Sequence, residues 1–470
     1  MISTIARQEF RSILREKRFQ MATLALSLLF LLSLYGAYDY YASLQRQHAE
    51  AAQIARGHWE NQKDKNPHSA AHYGTFAFKP AYPLSFFDRG VDAFTGNTLF
   101  LEAHKMNESK YRAATDRSEL ARMGTLTPAF ILGVLFPLFI MVLGFGAVAG
   151  ERESGNLRLL LAQGVGPTRL FFGKALGLWN AVLLLAAPFL LLGALGLLLP
   201  GAGAEDWQRY FLLALAYLLY LGCFVHLVLL VSAWAKRQNV ALVASLGVWV
   251  FVCLIVPKAA VNVAKHQYPT PSWQIYYEGI KQDLEEGVDG HDPADAYTQK
   301  LEKETLQQYG VDSVQHLPFN WDGFIMQKGE EHETYVFQKH KDGLLNIYAQ
   351  QQQVHAVASV LSPYLLTSIA SHRLAGTDVY SYHHFLAAAE KYRIALVGEM
   401  NGELTQNFKY GDWEGKRSKA FFASNQRFDY QRPVLAQVWP GVSPALLLLV
   451  GWWLVSGLAC LLIFNKLRVL

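Results

Sequence analysis

The chain is poor in cysteine: 3 in 470 residues, Cys223, Cys253 and Cys460, each inside a long apolar run. The polar stretches between those runs therefore have no disulfide framework and must be held by packed cores. Charge is also scarce, with Asp, Glu, Lys and Arg making up 17% of residues. Enzyme signatures are missing too. A phosphate-binding loop ending at Gly173-Lys174 needs Gly at position 168 and Ser or Thr at 175, where this chain has Thr168 and Ala175. Neither His-Glu-x-x-His nor Gly-x-Ser-x-Gly occurs, and His383-His384 has no carboxylate at zinc-protease spacing. No basic patch interleaved with aromatics is present, so nucleic acid is not expected as a partner. We read the chain as no enzyme, with no metal and no cofactor assigned.

What is present is apolar: 52% hydrophobic residues and a mean hydropathy of +0.12. A membrane-crossing helix needs ~20 mostly apolar residues. Six stretches approach that length: 21–38, 126–149, 170–199, 210–235, 240–256 and 442–464. Flanking charge orients them. Arg7, Arg11, Arg15, Lys17 and Arg18 precede the first, and Arg152, Arg158, Arg169 and Lys174 lie between the second and third. Lys236 and Arg237 lie between the fourth and fifth, and Lys466 and Arg468 follow the last. With six spans all four groups fall on one face, which predicts a multi-pass membrane protein with both termini cytoplasmic. Two large segments then lie outside. Residues 268–433 hold 22 Asp and Glu against 15 Lys and Arg, a balance of −7 in a chain of net charge +4. The basic excess therefore reports membrane orientation.

Residues 150–174, GERESGNLRLLLAQGVGPTRLFFGK, interrupt the second and third runs. Gly150 permits a sharp exit from the membrane, and Glu151, Arg152 and Glu153 mark the water boundary. Leu157, Leu160 and Leu161 recur at helical spacing, Gly164, Gly166 and Pro167 stop that helix, and Thr168 can cap the next. The pattern predicts an elbow: down from the membrane, a short amphipathic helix along its face, and back up.

Glu-Arg-Glu-Ser-Gly-x-Leu followed by Leu-Leu and Gly-x-Gly-Pro-Thr-Arg resembles the first cytoplasmic loop of type-2 ABC exporter (ABC-2) permeases. Glu151, Arg152, Glu153, Gly155 and Leu157 match, while Asn156 replaces the usual Thr. The resemblance implies a coupling helix that docks on a separate ABC ATPase subunit, with Glu151, Arg152, Glu153, Gly155, Leu157, Leu160 and Leu161 carrying the coupling. It further implies two permease chains, identical or related, ATP bound only on the partner subunits, and contact with membrane lipid. A branch with large external inserts is indicated by 83–90 (PLSFFDRG), 361–366 (LSPYLL), and Ala375-Gly-Thr-Asp378 with Phe385.

The remaining expectations are local. Residues 2–19 form an amphipathic helix with Ile2, Ile5, Phe10, Ile13 and Leu14 on one face, and no cleavable signal sequence is read there. Residues 43–61 continue span one as a helix, and 75–78 read as strand. Pro128 and Pro137 can kink span two, and span five ends at Pro257. In the second insert, Asp292-Pro293 starts a helix over 297–308, and 331–360 and 381–400 are helical. His226 is the conspicuous intramembrane polar residue. His68, His72 and His104 are a plausible zinc or copper set, but scattered histidines more often serve as scaffold, and no metal is assigned to them.

The predicted fold is a mainly α membrane protein with six transmembrane helices and two extracytoplasmic domains, α-rich with some β in the first. Its parts are an amphipathic helix (1–20), TM1 (21–40), external domain 1 (41–124), TM2 (125–149), and the coupling loop (150–169). TM3–TM5 (170–262), external domain 2 (263–439), TM6 (440–464) and a cytoplasmic tail (465–470) follow. The predicted function is an exporter permease subunit. The alternative is a mechanotransmitter that drives a periplasmic partner without conducting substrate.

Overall fold

Six helices in the computed structural model are long and apolar enough to cross a membrane. The structure describes residues 1–109, 126–199 and 201–467. The end of the first insert with the first residue assigned to TM2 (110–125), Pro200 in the hairpin between spans three and four, and Arg468 in the tail lie outside the described residues.

Helix α1 (Ile2–Arg15) ends where Glu16 turns extended, and α2 (Lys17–Glu60) then runs for 44 residues without a break. At 1.5 Å per residue that is about 66 Å, roughly twice the ~30 Å apolar thickness of a bilayer. Its first half is span one, and its second half rises into the first insert. The other spans are α4 (Pro128–Glu153), α6 (Pro167–Gly196), α7 (Ala204–Trp234), α8 (Gln238–Gln267) and α14 (Leu435–Phe464). Two correct the sequence reading. Span two carries its helix through Gly150 to Glu153, so the exit from the helix is at Ser154–Gly155. Span five runs through Pro257 to Gln267.

Spans two and five accommodate an internal proline in the same way. A π-helical turn, Ile131–Leu135 in α4 and Phe251–Ile255 in α8, sits just before Pro137 and Pro257. The wider turn makes room for the ring and releases backbone carbonyls, which a buried site must satisfy otherwise. Tyr220 of α7 donates to the Gly133 carbonyl at 2.6 Å, and Trp249 of α8 donates to Val134 at 2.9 Å. Ser362 donates to Val252 at 2.8 Å. Tyr220→Phe is therefore expected to cost about 0.6–2 kcal/mol, the range of interhelical hydrogen bonds in membranes. A thermal unfolding series in detergent reads it, with Tyr217→Phe as the comparison.

The two inserts fold against each other. In the first, α3 (Pro67–Tyr73) leads into β1 (Thr75–Phe78), which pairs antiparallel with β2 (Thr98–Leu101), Thr75 opposite Leu101. The second is helical: α9 (Trp273–Leu284), α10 (Ala296–Tyr309), α11 (Trp321–Ser359), α12 (Pro363–Ala375) and α13 (Val379–Asn407). Ala77, Leu99 and Leu101 of the strands share a core with Phe385 and Ala389 of α13. Trp59, Ala70, Ala71 and Ala103 share another with Leu396, Val397, Met400 and Phe422. Neither insert closes these cores alone.

Helix boundaries in the second insert follow their caps. Asp295, not Asp292, caps α10 by accepting the Thr298 N–H at 2.8 Å, while Asp292 closes the turn before it. The helix expected over 331–360 starts ten residues earlier, because Asn320 caps α11 and Trp321 and Ile325 anchor its first turns. Gly343 passes without a break.

The branch-type motifs converge where the inserts meet the spans. Leu366, Ala370, Leu374 and Ala375 of α12 belong to the same core cluster as α7 and α14. Phe86 and Phe87 lie against Gly196 and Gly193 of α6, whose missing side chains admit the rings. Asp88 accepts a hydrogen bond from Ser371, and the Val91 N–H bonds Thr377 at 2.8 Å. Gly90, at φ +43°, lies so close to Thr377 that a Cβ would sit 2.4 Å from its carbonyl oxygen.

Candidate functional site

Between α4 and α6 the chain turns twice around one short helix. Gly155 (φ +82°) reverses the chain, α5 (Asn156–Ala162) follows, and Gly164 (φ +81°) reverses it again. A Cβ at either glycine would meet nothing within 4 Å, so left-handed backbone alone calls for glycine there. Gly166 precedes Pro167, which takes the first position of α6; Thr168 does not cap that helix but points to Asn465, 3.2 Å away.

Glu151, Arg152 and Glu153 each bond a neighbouring element of the protein itself. Arg152 donates to the Ala233 carbonyl at 2.8 Å and to that of Ala235, closing the C-terminal end of α7. Glu153 accepts the Gln238 N–H at 3.0 Å at the start of α8, where the helix dipole favours a negative group. Glu151 pairs with Lys174 of α6, which also bonds Glu9 of α1 at 2.6 Å. Burial raises the Glu9 carboxyl above its usual range, against the opposing pull of Lys174. Five elements are thus tied together at the elbow: α1, α4, α6, α7 and α8.

Leu157 is buried and Leu160 and Leu161 pack against the main core. What α5 offers outward is a different set, Asn156, Arg158 and Leu159, with Leu159 61% exposed. Sequence spacing alone did not pick out Leu159, because three leucines in a row leave the inward face undefined. Helix α1 lies across α6 where Gly173 and Gly177 clear a path: a Cβ on either would come within 2.6 Å of Ile5 or Glu9.

His226 of α7 is buried and bonds Ser456 of α14 through Nδ1 at 3.2 Å, beside Trp453. Together with Phe171, Trp179 and Gly457 it lines an apolar groove of about 550 Å³ among α6, α7 and α14.

In the inserts, His68, His72 and His104 come together, and His291 of the second insert joins them. Burial pushes the His68 ring down to about 4, and it also lowers His72 and His291. For His104 burial works in the same direction, but the hydrogen bond and charge of Glu333 outweigh it and the pKa is raised. Glu333 in turn is raised by burial.

Comparison with known proteins bears on the two halves separately. Residues 106–261, which contain the elbow, match the ABC-2 family transporter protein family. Residues 277–431 match a domain of unknown function, DUF3526. The probable ABC transporter permease protein NosY of Pseudomonas aeruginosa is 32% identical over 126 residues, 26% of this chain and 45% of that protein. The chain thus spans less than half the length of this relative. Spans, elbow and sequence matches agree: this is a multi-pass membrane protein that carries an ABC-2 family transporter region over residues 106–261.

Proposed function

We propose that the chain is the membrane subunit of an ATP-driven ABC exporter, using ATP hydrolysed on separate ATPase subunits to move substrate across the bacterial inner membrane. Both termini and the elbow are cytoplasmic, and two such chains, identical or related, face each other within the lipid. The observation that carries this reading is the elbow. Its short helix is joined to α4 and α6 through the glycine reversals, and those two spans are tied in turn to α7 and α8 by Arg152 and Glu153 of α4 and to α1 by Lys174 of α6. A push on α5 would be delivered to several spans at once. Asn156, Arg158 and Leu159 face the ATPase, whereas Glu151, Arg152, Glu153 and Leu157 stiffen the support behind them.

These roles predict different outcomes. Leu159→Glu is expected to lower the co-purified ATPase by about tenfold or more, the loss of one interface anchor worth ~1.4 kcal/mol, without lowering thermal stability. Arg152→Ala is expected to lower stability first, since it leaves carbonyls of α7 without their donor. Co-purification in detergent with an ATPase assay measures both. An unchanged ATPase yield in Leu159→Glu, or no ATPase with the well-folded wild type, would sink the reading.

A second reading, transmission of motion to a periplasmic partner, draws on α2. This one helix runs from the α1 end of the spans to Trp59, in a core shared by both inserts. Spin labels at Leu159 and Lys300 separate the two readings. An ATP-dependent change in their separation while the facing chains stay sealed favours transmission; opening between the chains favours a conduit.

A further inference from the structure

We propose that His68, His72, His104 and His291 form a metal site for a single Zn²⁺ ion, clamping the two inserts together. One ligand nitrogen from each ring lies within 4.8 Å of all the others. A tetrahedral zinc bound by imidazoles at ~2.0–2.1 Å places neighbouring nitrogens about 3.4 Å apart. The His68 Nε2 lies 3.1 Å from Nε2 of His72 and 3.4 Å from Nε2 of His291.

The surrounding groups direct lone pairs toward the centre. Asn401 donates through Nδ2 to Gln327 at 3.2 Å, which turns its Oδ1 toward Nδ1 of His68, 2.9 Å away. An oxygen there requires Nδ1 of His68 to carry the proton, so the neutral ring presents an unprotonated Nε2. Glu333 acts in the same way on Nδ1 of His104 at 2.6 Å. The remaining nitrogen of His104, Nε2, is buried without a hydrogen-bond partner. Carboxylate and amide groups behind imidazoles are the usual outer support of a metal ligand.

Backbone geometry at His104 adds a second sign. Its φ of +62° makes it the one non-glycine in the left-handed region among the described residues. Its own N–H is fixed at 2.8 Å by Glu330. Strain of this kind persists where surrounding structure enforces it, and such places cluster at binding sites.

The donor set selects the ion. Four imidazoles without thiolate or thioether suit zinc better than sulfur-seeking Cu(I), and a closed four-nitrogen site is of the structural kind. His68 and His72 are one helical turn apart on α3, His104 follows β2, and His291 precedes α10. Three ligands thus belong to the first insert and one to the second. Zinc binding then depends on the two being docked, and strengthens that docking.

The test uses the full-length protein in detergent, purified with a tag free of histidine, stripped with chelator, and dialysed against Zn²⁺ before elemental analysis. One zinc per chain is expected. His72→Ala and His291→Ala replace exposed rings and leave the cores untouched, and each is expected to weaken retention at least about tenfold. Glu333→Gln is expected to weaken it roughly 10–100-fold, the usual effect of losing an outer-shell partner. Co²⁺ in place of zinc should give the intense visible bands of tetrahedral coordination. No zinc retained by the wild type, or equal retention in the His72→Ala/His291→Ala double variant, overturns the proposal. Retention of Cu²⁺ with none of Zn²⁺ overturns the choice of zinc.

Discussion

Lys174→Met is expected to destabilise the protein by about 3–5 kcal/mol, the cost of removing one partner from a buried ion pair. Its side chain is 4% exposed and lies between Glu9, 13% exposed, and Glu151, 25% exposed. Without the ammonium, two carboxylates face each other with no counter-charge, and α1 loses its polar link to α6. Two readouts follow: a lower unfolding temperature in detergent, and proteolysis within residues 1–16 that the wild type resists. The sign of the pH response is also set. Glu9 already has its carboxyl raised by burial, and removing Lys174 raises it further. The folded variant then holds a proton more firmly than the unfolded chain, so its stability rises as pH falls from neutral. Adding Glu9→Gln and Glu151→Gln should recover most of the loss at pH 7. If Lys174→Met alone melts like the wild type, the buried triad is not what holds α1.

Arg393→Leu is the second large effect, again about 3–5 kcal/mol, and it acts in the inserts. The guanidinium is 2% exposed and reaches Glu390 at 2.7 Å and Glu330, carboxylates that are 8% and 3% exposed. It also donates to Thr334 at 2.9 Å and to the Glu102 carbonyl at 3.3 Å. It thus joins α13 to α11 and to the end of β2. Arg393→Lys should retain part of the stability, since an ammonium supplies charge but cannot reproduce the planar fork. Because Glu330 also holds the His104 N–H, Arg393→Leu should loosen the histidine cluster as well. Hydrogen exchange over residues 98–105 and 325–335 measures this: faster exchange there with α4–α8 unchanged is expected, and uniform protection would contradict it.

The two clusters mark the limit of what the linear chain reveals. The number of spans and the stop of the short helix at Gly164 are local, because a run of ~20 apolar residues or a left-handed glycine acts within a few positions, although the exit read at Gly150 lies at Gly155. By itself the sequence therefore determined the six spans, the elbow between the second and third, and the helical character of the second insert. It also carried the resemblance that the family comparison upheld. It left undecided which way a charge points. Glu151, Arg152 and Glu153 read as an outward-facing polar loop, yet their partners are Lys174, Ala233 and Gln238, brought near by packing of separate spans. The histidines pose the same problem at greater range. His68 and His72 are visibly paired on one turn, but His68 and His291 are 223 residues apart. Only the tertiary structure decided that meeting, because the shared cores around Trp59 and Phe385 dock one insert on the other, and burial of apolar surface carries no record in the sequence of which distant segment will cover it.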